Sequence, residues 1–264
     1  MVRRRADAAL VERGLFPSRE QARAAIMAGE VRVAGQPVRK AGQLIDSAAP
    51  LECVKRRRYV SRGGDKLASA LDVFGLEVEG VRALDVGAST GGFTDCLLQR
   101  GARSVTALDV GYGQLSWSLR QDERVTVVER TNIREVEPGA LGERFDLAVV
   151  DVSFVGLGKV VPNVVSQLVE SGHLLALVKP QFEAGKDRVG KRGVVRDRAV
   201  HEQVLESVVE AVRASGLVVR GLTWSPLRGP AGNIEFWLWA AREGDAAPVA
   251  PRDVVAGAHV SLGE

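Results

Sequence analysis

From about residue 83 onward the chain sets short apolar runs against longer amphipathic stretches. Ala83–Val86, Ser104–Asp109, Val125–Val128, Leu147–Asp151, Leu174–Val178, Leu217–Leu222 and Glu235–Trp239 are strand-length and largely apolar, the pattern of strands buried on both faces. Helical periodicity fits between most of them, notably at 91–100, 157–170 and 198–215. This alternation predicts an α/β fold with a mostly parallel, doubly wound, seven-stranded sheet. A Gly/Pro-rich loop from Pro226 to Asn233, with no helix, joins the last two runs. Those two are expected to pair antiparallel.

The first 54 residues have a different rhythm. Residues 7–14 read as a short helix, with Asp7 as its cap and Gly14 as its stop. A second helix is expected over 18–28, where Ser18 and Gln21 have capping-box spacing and Ala22, Ala25 and Ile26 supply the apolar face. Val31–Val33 and Gln36–Arg39 flank a turn at Ala34-Gly35 and predict a small strand pair. Together these make a compact α+β module over 1–54. A basic linker follows at 55–60, then an amphipathic helix from Gly64 to Phe74 that opens the larger domain, 61–242. The stretch 243–264 carries little pattern and is expected to be a tail.

Composition narrows the class. Hydrophobic residues at 45% and charged residues at 26% argue against long disordered tracts. No apolar run reaches the roughly 18 residues that a membrane span needs, and the basic start is not followed by a secretory apolar core. A cytoplasmic protein is expected, with Cys53 and Cys96 as free thiols. Three scattered histidines make no ligand pattern, so no metal is expected. Charge is uneven: residues 1–66 hold 15 Lys/Arg against 7 Asp/Glu, whereas the remainder holds 21 against 26. A basic N-terminal end suits a polyanionic partner, although a merely solvated basic face would look the same.

The stretch Asp85-Val86-Gly87-Ala88-Ser89-Thr90-Gly91-Gly92-Phe93 is a strand end, a glycine-rich turn and a helix start. In open α/β sheets, ligands bind at the carboxyl ends of the strands. An acid just before the first glycine disfavours a pyrophosphate and favours a cofactor with a cationic amino group. Asp109 ends the next strand, where a carboxylate can accept both hydroxyls of a ribose. Asp151 ends a third, and Asn132-Ile133 can flank an adenine. Three acids at three strand ends suit S-adenosylmethionine, with a generic nucleotide site as the alternative.

Four further residues stand in distinctive contexts: Lys66 in Arg62-Gly-Gly-Asp-Lys66-Leu67, Asp151 in Val150-Asp-Val-Ser-Phe154, Lys179 in Val178-Lys-Pro-Gln-Phe182, and Glu235 in Gly232-Asn-Ile-Glu235. Two lysines and two acids can form one alternating network at the strand ends. With these segments, Asp109-Val-Gly-Tyr-Gly-Gln-Leu115 and Glu129-Arg-Thr-Asn132, the chain resembles the TlyA family, also called hemolysin A. Over 61–242 it is similar to FtsJ-type ribose 2′-O-methyltransferases, a Rossmann-like class I methyltransferase fold.

The resemblance implies a catalytic Lys-Asp-Lys-Glu tetrad at Lys66, Asp151, Lys179 and Glu235. It also implies S-adenosylmethionine as cofactor, and ribosomal RNA within ribosomal subunits as partner, methylated at cytidine 2′-hydroxyls. The N-terminal module resembles a small RNA-binding domain first named from a ribosomal protein. Its expected phosphate contacts are Arg3, Arg4, Arg5, Ser18, Arg19 and Arg23, joined by Arg57, Arg58 and Arg62 beyond it. No membrane-active stretch accounts for the hemolysin label. Lys179 is expected beside the target hydroxyl, oriented by Asp151, with Lys66 and Glu235 holding the network. The competing expectations are a non-catalytic ribosome-binding or assembly factor that keeps a methyltransferase fold, and a small-molecule methyltransferase.

Overall fold

The computed structural model describes residues 3–27, 29–53, 58–248 and 250–263. The chain divides into two compact units, Met1–Arg58 and Tyr59–Glu264.

The smaller unit runs β1 (Arg3–Arg5), α1 (Ala6–Glu12), α2 (Arg19–Met27), β2 (Val31–Val33), β3 (Gln36–Pro37), β4 (Leu44–Asp46) and β5 (Leu51–Cys53). Strand β1 pairs with β4, and β2 lies between β3 and β5. The β2–β3 turn is Ala34-Gly35, as expected, with both residues at positive φ (47° and 76°), the backbone that suits a two-residue hairpin. Ala9, Leu10, Ala22, Ala25, Ile26, Val31 and Ile45 form its core. The Ser18 Oγ accepts from Gln21 N at 3.3 Å, capping α2. Asp7 departs from its expected role. Helix α1 begins one residue earlier, at Ala6, because the Ala6 and Asp7 amides already donate to the Gln43 and Ala41 carbonyls at 2.9 and 3.1 Å. That leaves the Asp7 carboxylate inside the first turn, buried and available to cations.

The larger unit runs α3 (Arg62–Phe74), β6 (Arg82–Val86), α4 (Gly92–Gln99), β7 (Ser104–Leu108), α5 (Trp117–Arg120), β8 (Val125–Val128), β9 (Phe145–Val150), α6 (Val161–Ser166), β10 (Leu168–Val178), α7 (Pro180–Glu183), α8 (Arg198–Ala214), β11 (Val218–Trp224), β12 (Phe236–Ala241) and α9 (Pro251–Leu262). Its seven strands lie in the order β11-β12-β10-β9-β6-β7-β8. Only β12 runs antiparallel to its neighbours. The order reverses between β6 and β9, the place where an open sheet parts to admit a ligand. Apolar cores cover both faces: α6, α8 and α9 supply one, and α3 and α4 the other.

Ser61 caps α3 by accepting from Gly63 N at 3.2 Å, and Gly75 ends it in the left-handed region. Tyr59 is 2% exposed and lies in the core of the larger unit. A Cβ on Gly64 would sit 2.3 Å from the Tyr59 ring, so that glycine is what admits it.

Two expectations over this unit fail. The helix expected over 157–170 is only Val161–Ser166, and β10 begins at Leu168, where Phe145 N donates to Gln167 O at 2.9 Å. Five valines between 160 and 169 suit a strand better than a long helix. The expected tail contains α9, which packs on α8 and β11. Val255, Ala258 and His259 are its buried face, and His259 Nε2 lies 3.0 Å from His201 Nδ1 of α8. Its short apolar face is interrupted by small residues, so tertiary burial rather than local periodicity defines it.

Candidate active site

Where β6 ends, the chain turns through Gly87 at φ +87°. A Cβ there would lie 2.6 Å from the Asp151 carbonyl oxygen, so only glycine lets this loop press against the end of β9. The Gly87 amide donates to Leu108 O at 2.8 Å, tying the loop to β7 as well. Asp109 is oriented by two backbone donors, Ser89 N at 2.7 Å on one oxygen and Gly111 N at 2.6 Å on the other. A carboxylate has about four acceptor positions, so Asp109 retains capacity for a ligand.

These strand ends surround a cavity of 390 Å³. Of the residues expected to hold the cofactor, Gly87, Ser89, Asp109, Asn132, Ile133 and Asp151 line it. The others stand elsewhere. Ala88 and Phe93 belong to the core, Gly91 packs on Leu115 and Leu119, Gly92 packs on Ser61, and Thr90 is exposed away from the cavity. Asp85 is wholly buried beneath the loop, where its Oδ2 accepts from Thr94 N at 2.9 Å and Thr94 Oγ1 at 2.6 Å. Burial pushes its carboxyl up to about 7, with Asp151 and Asp109 adding to the rise and Thr94 opposing it. Its other oxygen is buried without a hydrogen-bond partner. Gln114, Val110 and Phe154 complete the wall. Polar and apolar loop residues of this kind have no periodic signal to mark them.

The two lysines and two acids meet as two ion pairs. Lys66 Nζ of α3 lies 2.5 Å from Glu235 Oε2, just before β12, and both side chains are buried. Lys179 Nζ, just past β10, lies 2.6 Å from Asp151 Oδ1, just past β9, and donates to Ser153 Oγ at 2.9 Å. Burial raises the Glu235 carboxyl above the usual carboxylate range; Lys66 and Lys179 pull it down, and Asp151 pushes it up. Glu235 therefore feels the other pair electrostatically, and it lines one cavity with Lys179.

A second cavity of 790 Å³ opens on Lys179 and Glu235 and includes Gln181, Phe182 and Lys186. Ser153 and Phe154 line both cavities. Phe154 is 91% exposed and holds a left-handed backbone at φ +64°, a strain that nearby structure must sustain. Its ring packs on Phe182 with centroids 5.0 Å apart. The arrangement is a pocket lined by polar and apolar strand-end residues, with Asp151 on its wall, beside a cationic cleft with an aromatic wall that carries Lys179.

In the smaller unit, Arg3, Arg4, Arg5, Arg19 and Arg23 are exposed and Ser18 is half-buried. Asp7 gathers two of them: Arg5 Nη2 at 2.9 Å and Arg19 Nη2 at 3.2 Å. The hydrogen bonds from Arg5 lead in lowering the Asp7 carboxyl to about 2, with Arg19 adding to the effect. Arg4 faces Glu12 at 3.4 Å. Arg58 and Arg62 are exposed, while Arg57 lies outside the described residues.

The FtsJ-like methyltransferase family matches residues 59–242 and the S4 domain family residues 4–48. The 16S/23S rRNA (cytidine-2′-O)-methyltransferase TlyA of Mycobacterium tuberculosis is 47% identical, over 93% of this chain and 92% of that protein. Hemolysin A of Brachyspira hyodysenteriae is 39% identical, over 88% and 97%. A Streptococcus thermophilus structure described as a candidate hemolysin superposes with a TM-score of 0.76 at 43% identity, covering 99% of this chain and 98% of that one. A Mesorhizobium loti S-adenosylmethionine-dependent methyltransferase, 17% identical with a TM-score of 0.50 over 66% of this chain and 96% of that one, shares the fold. Among the described residues no helix is long and apolar enough to cross a membrane.

Proposed function

This chain belongs to the TlyA family of FtsJ-like methyltransferases, and on that premise we propose that it transfers the methyl group of S-adenosylmethionine to a cytidine 2′-hydroxyl in ribosomal RNA. One observation carries the reading. Two cavities share Ser153 and Phe154; Asp151 opens on one of them, and Lys179 and Glu235 open on the other. Methyl transfer needs a donor site and an acceptor site that meet, so that the acceptor oxygen can approach the methyl carbon directly and in line with the bond that breaks.

The 390 Å³ cavity fits the cofactor in size and in its donors and acceptors. Asp109, pre-oriented by Ser89 and Gly111, would accept from the ribose hydroxyls, and Asn132 and Ile133 would flank the adenine. Asp151 would sit near the sulfonium. When bound, S-adenosylmethionine supplies an electrophilic methyl group.

The chain's own residues supply the rest. Lys179 Nζ, already held by Asp151 and Ser153, is aimed at the boundary. There, as an ammonium, it would hold the 2′-hydroxyl and offset the negative charge that grows on its oxygen as the hydroxyl proton passes to water. Glu235 lines the acceptor side and is held by Lys66, so Lys66 acts through Glu235 as a positioning residue. Phe154 and Phe182 offer a stacking surface for the base attached to the target ribose. The exposed arginines of the S4 domain would bind RNA phosphates.

The test is methyl transfer from a labelled donor to ribosomal subunits, with ribose methylation mapped on ribosomal RNA from cells with and without this protein. A cytidine that loses its 2′-O-methyl in the deletion supports the reading. RNA binding with no transfer in any subunit state would favour a non-catalytic ribosome-binding factor instead.

A further inference from the structure

The segment between α7 and α8 holds a feature that methyl transfer itself leaves unused. It encloses a third cavity, of 450 Å³, whose wall carries Arg188, Lys191, Arg192 and Arg196 against a single acid, Asp197. Gly190 and Arg192 also line the cleft that contains Lys179, so the two spaces adjoin.

This segment is tied in place. Asn233 accepts from Val195 N at 2.9 Å and donates to Gly193 O at 2.8 Å, fastening it beside Glu235. Gly190 N donates to Val194 O at 3.1 Å, closing the turn. Arg192 itself is held at φ +65°.

Among the described residues, the charge of Arg188, Lys191 and Arg192 faces no acid partner. The Arg188 guanidinium donates to the Ala184 carbonyl at 2.7 Å and to Gln203 Oε1 at 2.5 Å, both neutral acceptors. Lys191 and Arg192 are exposed. Asp197 accepts from Ala199 N at 2.9 Å, so its carboxylate caps α8. Asp187, the other acid of the segment, does not line the cavity. Like charges collected around one concavity repel one another, and a multiply charged anion turns that cost into attraction. Arginine forks match phosphate oxygens in particular.

We infer that this cavity is a phosphate subsite for the RNA strand whose ribose enters the Lys179 cleft. The inference rests on the proposed methyl transfer and deepens it by giving the strand a path: away from Lys179, past Arg192, to Lys191 and Arg188. Its partner is a phosphodiester of single-stranded or locally opened RNA.

The experiment measures equilibrium binding of the full chain to transcribed large-subunit ribosomal RNA across a series of KCl concentrations, together with KM for that RNA in methyl transfer. Removing two single-strand phosphate contacts with Lys191→Gln plus Arg192→Gln should reduce the slope of log K against log salt by about 1.4. KM for RNA should rise much more than kcat falls, and affinity for S-adenosylmethionine should stay at the wild-type value. The charge-conserving pair Lys191→Arg plus Arg192→Lys should restore both slope and KM. A folded double-Gln variant with wild-type slope and KM overturns the inference. So does one that loses affinity for inorganic phosphate but binds RNA as wild type, because the site would then serve free anions. A slope difference of the expected size in a protein that transfers no methyl group overturns the proposed function and leaves this subsite standing.

Discussion

Two lysine–carboxylate pairs stand at one end of the same sheet, and their surroundings differ. The Lys66–Glu235 pair is closed: its side chains are 8% and 1% exposed, and Lys66 lines neither ligand cavity. The Lys179–Asp151 pair is open: its side chains are 13% and 25% exposed, and each faces a different cavity. The same two kinds of charged group therefore do different work. A closed pair resists separation because removing one partner strands a charge in low dielectric. An open pair can exchange partners with a ligand at modest cost to the fold. Under the proposed function, the difference suits Lys66 to bracing and Lys179 to substrate contact.

The largest expected effect tests the open pair. Lys179→Ala should lower kcat for methyl transfer on the order of 10³-fold with little change in Tm, while S-adenosylmethionine binding, read by calorimetry, persists. Near-normal turnover in this variant would remove Lys179 from the chemistry.

Next is the closed pair. Lys66→Ala should destabilise the larger unit by about 3–5 kcal/mol, a fall in Tm on the order of 10 °C, and should also cost activity. A variant that loses activity with an unchanged Tm would show that the two pairs are not different in kind.

A sharper version separates bracing from chemistry. Lys66→Met combined with Glu235→Leu replaces the buried pair by apolar groups, a change that is often neutral for stability. Tm should return close to wild type while turnover stays low, because Glu235 also lines the acceptor cleft. Recovery of turnover would reduce the pair to a brace alone.

The smallest effect concerns Asp85, the acid without a cation. Its carboxyl is raised to about 7 in the folded protein by burial. The stability it contributes is therefore full below the ordinary carboxylate range and lost as pH rises through about 7. Asp85→Asn removes that loss. Its Tm advantage over wild type should grow between pH 5 and 7, level off above, and amount to a few degrees. An advantage independent of pH would mean that Asp85 does not titrate in this range.

Much of the site was legible because strand ends are where ligands bind and acids were visible there. Asp109 and Asp151 could be placed by that rule alone. Lys66 could not: it sits in an amphipathic helix among apolar neighbours, and its sequence context and the resemblance, not a strand end, singled it out. Asp85 shows the limit of the rule. Its position before the glycines suggested contact with a cofactor amine, yet the side chain points under the loop to Thr94. Phe154 is another limit, since an exposed aromatic in a left-handed backbone has no signature in a string of residues. The cavity walled by Arg188 to Asp197 has no counterpart in a linear pattern either, because Asn233, far along the chain, fastens the segment that forms it.

By itself the sequence determined most of the strands and helices, the glycine-rich turn at the end of the first long strand, and which end of the chain is basic. These are properties of short windows, set by burial period and by local sterics. Only the tertiary structure decided that Lys66 meets Glu235 across 169 positions of chain, that Asp151 and Lys179 divide two cavities, and that α9 packs on α8. Such pairings depend on how far a folded backbone brings distant residues together and how much water it removes from between them, and no local pattern encodes either quantity.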